Sequence, residues 1–184
     1  YEINVIRGAA AIRNDAVTVA YIENDNSGDT ALGTCRNAWV TRSLNTVIAD
    51  PGNNLINKSG SALSAANQVS LRSGTYNCRI QAPGFKNGGN RIRIVSTTLP
   101  GFAAVESSVG VAALNGGGSV NMTLETTLIL PQDTTFRVEH TCTNEPTDSP
   151  FGVQNNAYTL GMPVPSGGSY TGTTYTTVSC TRTG

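Results

Sequence analysis

The stretch "SLRSGTYNCRIQAPGF", residues 70 to 85, decides how the rest of the chain is read. Tyr76, Cys78 and Ile80 alternate with Asn77 and Arg79, the two-residue period of a strand with one buried face. Ser73-Gly74 before the run and Pro83-Gly84 after it are turn signals, so the strand is expected to end at Pro83.

The same period recurs on both sides of that stretch. Upstream, AVTVAYIE at 16 to 23 sets Val17, Val19 and Tyr21 against Thr18, Ala20 and Ile22, and the polar run NDNSGDTALGT follows. Residues 37 to 48 hold Trp39, Val40 and LNTVI, a pair of short strands before the Asp50-Pro51-Gly52 turn. NNLINKSGSALSAANQ, at 53 to 68, is too rich in Asn and Ser to assign.

Downstream, RIRIVSTT points Ile92 and Ile94 one way and Arg91 and Arg93 the other, and KNGGN at 86 to 90 reads as a hairpin connection into it. A weaker strand is expected from Phe102 to Ala113. In SVNMTLETTLIL, Val120, Met122, Leu124, Thr126, Leu128 and Leu130 share a face until Pro131 stops the ladder. TTFRVEHTC follows, with Phe136, Val138, His140 and Cys142 inward and Arg137 and Glu139 outward. Residues 144 to 169 are loop-like, and TTYTTVSCTR is the last strand. Eight or more strands with no assigned helix predict an all-β fold, two antiparallel sheets packed face to face as a jelly-roll sandwich.

Composition narrows the function classes. The chain has 184 residues, suited to one domain, with residues 1 to 15 as an N-terminal arm or linker and 16 to 184 as the sandwich. Charged residues are 13% of the chain, about half the ~25% of typical soluble domains, and the net charge is zero. Nucleic acid and anionic membrane both select clustered Lys and Arg, so neither is an expected partner. No apolar run approaches the ~20 residues of a membrane span. A start at Tyr1 without Met suggests a processed chain or part of a longer one.

Candidate chemistry is sparse. Cys35, Cys78, Cys142 and Cys180 are too scattered for a zinc knuckle, which leaves buried thiols or a disulfide. His140 is the one histidine, and its parity beside Phe136 and Val138 favours a core residue over a catalytic base. Glu23, Asp25, Ser27, Gly28 and Asp29 imitate half of a calcium loop, but Thr34 stands where its closing Glu belongs, so a solvated loop is the better reading. No catalytic, cofactor or metal residue is assigned. The triplets Asn57-Lys58-Ser59 and Asn121-Met122-Thr123 match the glycosylation sequon and carry little weight. Loops 84 to 90 and 144 to 157 suit recognition, which makes Lys86, Asn87, Asn90, Asn155 and Asn156 candidate receptor contacts. Tyr158, Tyr170 and Tyr175 are candidate interface aromatics.

"SGTYNCRIQAPGF" followed by "NRIRIVSTT" resembles the centre of jelly-roll modules at the ends of bacteriophage tail and head fibres, which are related in fold to the tumour necrosis factor and complement globular-head family. Trp39, Thr41, Arg42, Leu44, Asn45 and Thr46 in "AWVTRSLNTVIADP" are similar to another segment of those modules, and "FRVEHTC" and "FGVQNNA" to their final strands and loop. The last strand departs from the pattern, ending in Ser179-Cys180-Thr181, and 60 to 68 and 161 to 173 look like insertions. The resemblance implies a homotrimer, and it places the last strand beside the one holding Cys78, so that Cys78 and Cys180 become candidates for a disulfide. It implies a non-enzymatic virion surface protein, a fibre tip or spike head, that meets other virion proteins and a host receptor, glycan or protein. The alternative is a capsid decoration or cement protein, or a subunit of an extracellular filament.

Overall fold

Threonine- and valine-rich runs with one apolar face favour strands, because branched side chains fit a pleated surface whose other side meets water. The computed structural model describes residues 16–23, 35–85, 88–111, 119–143 and 173–184. Among them are twelve strands and no helix. They are β1 (Ala16–Glu23), β2 (Val40–Thr41), β3 (Thr46–Ala49), β4 (Lys58–Ser59), β5 (Ala62–Leu63) and β6 (Val69–Leu71). The second half of the chain adds β7 (Gly74–Phe85), β8 (Arg91–Ser96), β9 (Val105–Glu106), β10 (Ser119–Leu130), β11 (Thr134–Thr141) and β12 (Thr173–Arg182).

The strands form two antiparallel sheets, as the period-two pattern requires. The first runs β10-β7-β12-β1-β3-β5-β4. The second runs β2-β11-β8-β9, with β6 also on β11. Their inner faces meet in one hydrophobic cluster. Tyr76, Cys78, Ile80 and Ala82 of β7 and Met122, Leu124, Leu128 and Leu130 of β10 supply much of one side. Ile92 and Ile94 of β8 and Phe136 and Val138 of β11 supply the other.

Four local readings change. Strand β7 does not end at Pro83 but continues to Phe85, pairing Asn121 with Pro83 and Val120 with Gly84. Proline is tolerated because the pairing of β12 on the other side of β7 stops at Gln81, leaving no second neighbour among the described residues to need the missing N–H. The KNGGN segment is no hairpin connection, since β7 belongs to one sheet and β8 to the other. It is the crossover between them. Residues 53 to 68 contain the small β4–β5 pair, turned at Gly60, and of the expected strand from Phe102 to Ala113 the described part, 102 to 111, is strand only at Val105–Glu106.

The Asp50 turn is held by its own side chain, which accepts hydrogen bonds from the N–H groups of Asn54 (2.7 Å) and Leu55 (3.3 Å) and pairs with Lys58. Aspartate suits a turn for this reason. Asn57 of the first sequon is a similar latch: its amide donates to the Gln68 carbonyl and accepts from the Ser70 N–H.

Both cysteine pairs are disulfides, Cys35–Cys142 and Cys78–Cys180, and no cysteine among the four is free. Buried thiols are therefore replaced by cross-links. Cys78 and Cys180 face each other across β7 and β12. The bonds close loops of 107 and 102 residues, and in the chain-entropy account a loop of ~100 residues is worth about 4.7 kcal/mol. Mass spectrometry without reductant should find no free thiol, and replacing either pair with serine should cost about 2–5 kcal/mol in urea denaturation.

Gly84 is fixed by a close approach. A Cβ there would lie 2.8 Å from Oδ1 of Asn90, a side chain that is itself buried and hydrogen-bonded and so cannot swing away. Gly84→Ala should destabilise the fold by about 1–3 kcal/mol, read as a lower thermal midpoint with the all-β circular dichroism spectrum retained.

Candidate functional site

The outer face of the second sheet gathers three of the eight described arginines, Arg91, Arg93 and Arg137. Because β8 exposes its odd-numbered residues, Arg91 and Arg93 point outward, and the register sets them beside Thr141 and Glu139 of β11. On the other side of β11, Glu139 faces Thr41 of β2, so Trp39, two residues earlier, shares the outward parity. Glu139 lies on the outward side as its parity predicts, yet it is almost fully covered. Its carboxylate accepts from Arg93 (2.7 Å to Nε, 2.6 Å to Nη2) and from Arg137 (2.6 Å to Nε). Two guanidiniums on one carboxylate leave a net positive charge.

The guanidinium of Arg93 also lies 4.0 Å from the centre of the Trp39 ring, a cation–π contact that ties the indole to the sheet. Arg91 pairs with Glu106 at 3.6 Å, and both side chains are well exposed, so this pair adds little stability.

The segment that carries Trp39 is pinned. The Cys35–Cys142 disulfide joins it to the end of β11. The backbone N–H of Asn37 donates to the Cys142 carbonyl and that of Cys142 to the Cys35 carbonyl, each at 2.9 Å. Opposite, Thr143 donates its N–H to Gly88, and Gly89 takes a left-handed φ of 56° with its missing Cβ aimed at the Thr143 side chain, 2.5 Å away. These elements frame a trough of about 370 Å3 at that end of the sheet.

Beneath this surface, polar side chains occupy inward positions. The β2–β11 pairing continues through a hydrogen bond from the Arg42 N–H to Val138, which turns Arg42 into the core beside His140. Arg42 donates from Nε to Thr176 Oγ1 of β12 (3.1 Å) and from Nη1 to His140 Nδ1 (3.2 Å), linking the two sheets. Since arginine only donates, Nδ1 accepts and the proton sits on Nε2, which donates to Asn90 Oδ1 at 2.9 Å. Nη2 of Arg42 is buried with no partner among the described residues. Burial lowers the Arg42 pKa to about 10, which still leaves it charged at neutral pH. Burial, and then the Arg42 charge, hold His140 well below the usual histidine value of 6.5.

His140 is thus a neutral core residue, fully enclosed and out of reach of a dissolved substrate. Among the described residues no group of His, Cys, Asp and Glu is placed to hold a metal ion. Of the proposed receptor contacts, Asn90 must be corrected. It is fully buried, its side chain on His140 and its backbone exchanging hydrogen bonds with Gly110, so it braces the fold instead of meeting a partner. Lys86, Asn87, Asn155, Asn156, Tyr158 and Tyr170 lie outside the described residues, as do the arm at 1–15 and most of the imitation calcium loop. Tyr175 lies on β12, and its side chain is likewise outside the described part. Sequence reasoning missed the Trp39–Arg93–Glu139–Arg137 group, although the alternation Arg91/Arg93 and Arg137/Glu139 was the signal for it.

The histidine makes stability depend on pH. An unfolded chain takes up a proton at His140 near pH 6.5, whereas the folded chain resists it, so the contribution is complete above that pH and is lost as pH falls toward the folded pKa. Between pH about 6.5 and about 5, above the range where carboxylates titrate, urea denaturation should lose up to about 1.4 kcal/mol per pH unit. His140→Gln should flatten the slope in that window; an unchanged slope would assign it to other groups.

No protein-family model matches this chain, and no curated protein matches its sequence. Solved structures do. The globular domain of zebrafish complement 1qA protein aligns with 91% of this chain and 94% of its own, with a TM-score of 0.51 and 11% identity. Murine APRIL at pH 5.0 aligns with 91% of this chain and 98% of its own, with a TM-score of 0.50 and 9% identity. At such identities the likeness is one of architecture, and it places the chain among jelly-roll sandwiches of the complement 1q and APRIL type.

Proposed function

We propose that the chain is a non-enzymatic, extracellular binding head that works as a homotrimer, and that it forms the tip of a virion fibre or spike that meets a host receptor. The observation that carries the reading is a jelly roll matched over nine-tenths of the chain and cross-linked twice, in a form that an oxidising environment outside the cell maintains. The virion assignment rests on the ordered motifs around Trp39, Tyr76 and Arg91, which resemble fibre-tip modules.

The outer face of the first sheet supports a threefold contact. Asn77 and Arg79 of β7, Glu125 and Thr127 of β10, and Ser179 and Thr181 of β12 form a shallow polar surface around a depression of about 630 Å3. Ile129 on the same face of β10 is 74% exposed. Thr127 donates to Asn77 (2.9 Å) and Arg79 pairs with Glu125 (3.5 Å), so few charges on this face would need new partners when it is covered. Thr, Ser and Asn can instead exchange hydrogen bonds with a second copy.

Light scattering should give the mass of three chains, and Arg79→Glu, which sets two carboxylates side by side, should shift the population toward monomers. A parental chain that is monomeric at micromolar concentration would overturn the trimer. The purified head should adsorb to host cells and compete with intact virions for adsorption. A head that leaves adsorption untouched but is required for particle assembly would instead identify a decoration or filament subunit.

A further inference from the structure

The trough on the second sheet is bordered by Asn37, Trp39, Arg91, Glu106, Thr141 and Thr143. Its volume of about 370 Å3 falls at the small end of ligand sites. The lining combines an indole and the exposed Val109 side chain with a guanidinium, a carboxylate, an amide and two hydroxyls, so polar groups outnumber apolar ones. An apolar ligand would strip water from those groups without replacing it. A simple anion would be drawn to Arg91 but repelled by Glu106, 3.6 Å from it.

A sugar ring satisfies both demands. Its hydroxyls each donate and accept, matching donors on Asn37 and Arg91 and acceptors on Glu106 and the threonines, while its C–H face packs on an aromatic ring. The site is also built in advance. Arg93, itself clamped by Glu139, fixes the indole; the Cys35–Cys142 bond and the Asn37 and Cys142 backbone bonds fix the segment that carries it. Little ordering remains to oppose binding.

We propose that this trough is a saccharide site that takes one or two rings of a surface glycan, with Trp39 as its platform and Arg91, Glu106 and Asn37 as the groups that read the hydroxyls. This inference rests on the receptor-binding reading and gives it a ligand class and a place.

Trp39 is the chain's one tryptophan, so its fluorescence reports directly on the site. The purified full chain is titrated with methyl glycosides of glucose, galactose and N-acetylglucosamine, with sialyllactose, and with inorganic phosphate as the anion control. Expected is a saturable change in emission for at least one saccharide and none for phosphate, with Arg91→Ala and Asn37→Gly, which keeps the left-handed φ of 54° at that position, each weakening affinity by about tenfold or more, the equivalent of about 1.4 kcal/mol. Retained thermal midpoints would show that these two exposed positions do not act through folding. A silent Trp39 with all saccharides, an equal response to phosphate, or affinity unchanged in both variants overturns the site. Cell adsorption measured in parallel separates the two claims. Adsorption that survives both substitutions leaves the receptor reading intact and removes the trough from it. Saccharide binding by a chain that does not adsorb keeps the site and removes the receptor.

Discussion

Exclusion of water between the two sheets depends most on β7, the strand flanked by β10 on one side and β12 on the other. Its Tyr76, Cys78, Ile80 and Ala82 lie at the centre of the core, and its outward residues Asn77 and Arg79 sit on the face opposite. A slip of one residue would exchange those two sets, so register here is set by burial itself. Local devices reinforce it. The Tyr76 hydroxyl donates to the Arg72 carbonyl (3.0 Å), Cys78 is bonded to Cys180, and Gly84 gives Asn90 its room at the far end. The strand thereby links the core, a disulfide and the crossover that leads to β8 of the second sheet.

Legibility followed how local the determining forces were. Strands β1, β10 and β12 could be delimited from the chain because alternation and turn residues are written within each segment, and Pro131 ends β10 as expected. The β4–β5 pair could not, since Asn- and Ser-rich residues become strand only when Ala62 reaches Thr46. Pro83 misled for a related reason: whether proline breaks a ladder depends on a neighbour that sequence does not display. Asn90 misled more seriously. Glycine- and asparagine-rich segments are normally exposed, but a crossover between sheets must pass the end of the core, and its polar side chain was needed there to accept from His140.

The inward polar group has an energetic meaning of its own. A buried arginine with one nitrogen unpartnered among the described residues, beside a histidine held neutral, costs stability relative to apolar packing. Yet Arg42 reaches Thr176 on the opposite sheet, a directional contact that apolar side chains could not supply. Because a hydrogen bond has a fixed length and direction, the Arg42–Thr176 contact is kept only when these two segments face each other. The two long-range disulfides offset the cost by restricting the unfolded chain.

The two outer faces differ in a way that fits a division of labour. On the first, opposite charges and hydroxyls already satisfy one another, so covering it with another copy desolvates few uncompensated groups. On the second, Glu139 is shared by two arginines and Trp39 borders an open trough, leaving donor capacity and aromatic surface unspent. A trimer closed on the first face would leave three such troughs uncovered on its second sheets. Shallow sugar sites bind weakly one at a time, because each hydroxyl exchanges water for protein at little net gain. Joined on a rigid threefold frame, the second and third contacts become intramolecular, and avidity can exceed the single-site affinity by about 10² or more provided the glycans are spaced to reach them.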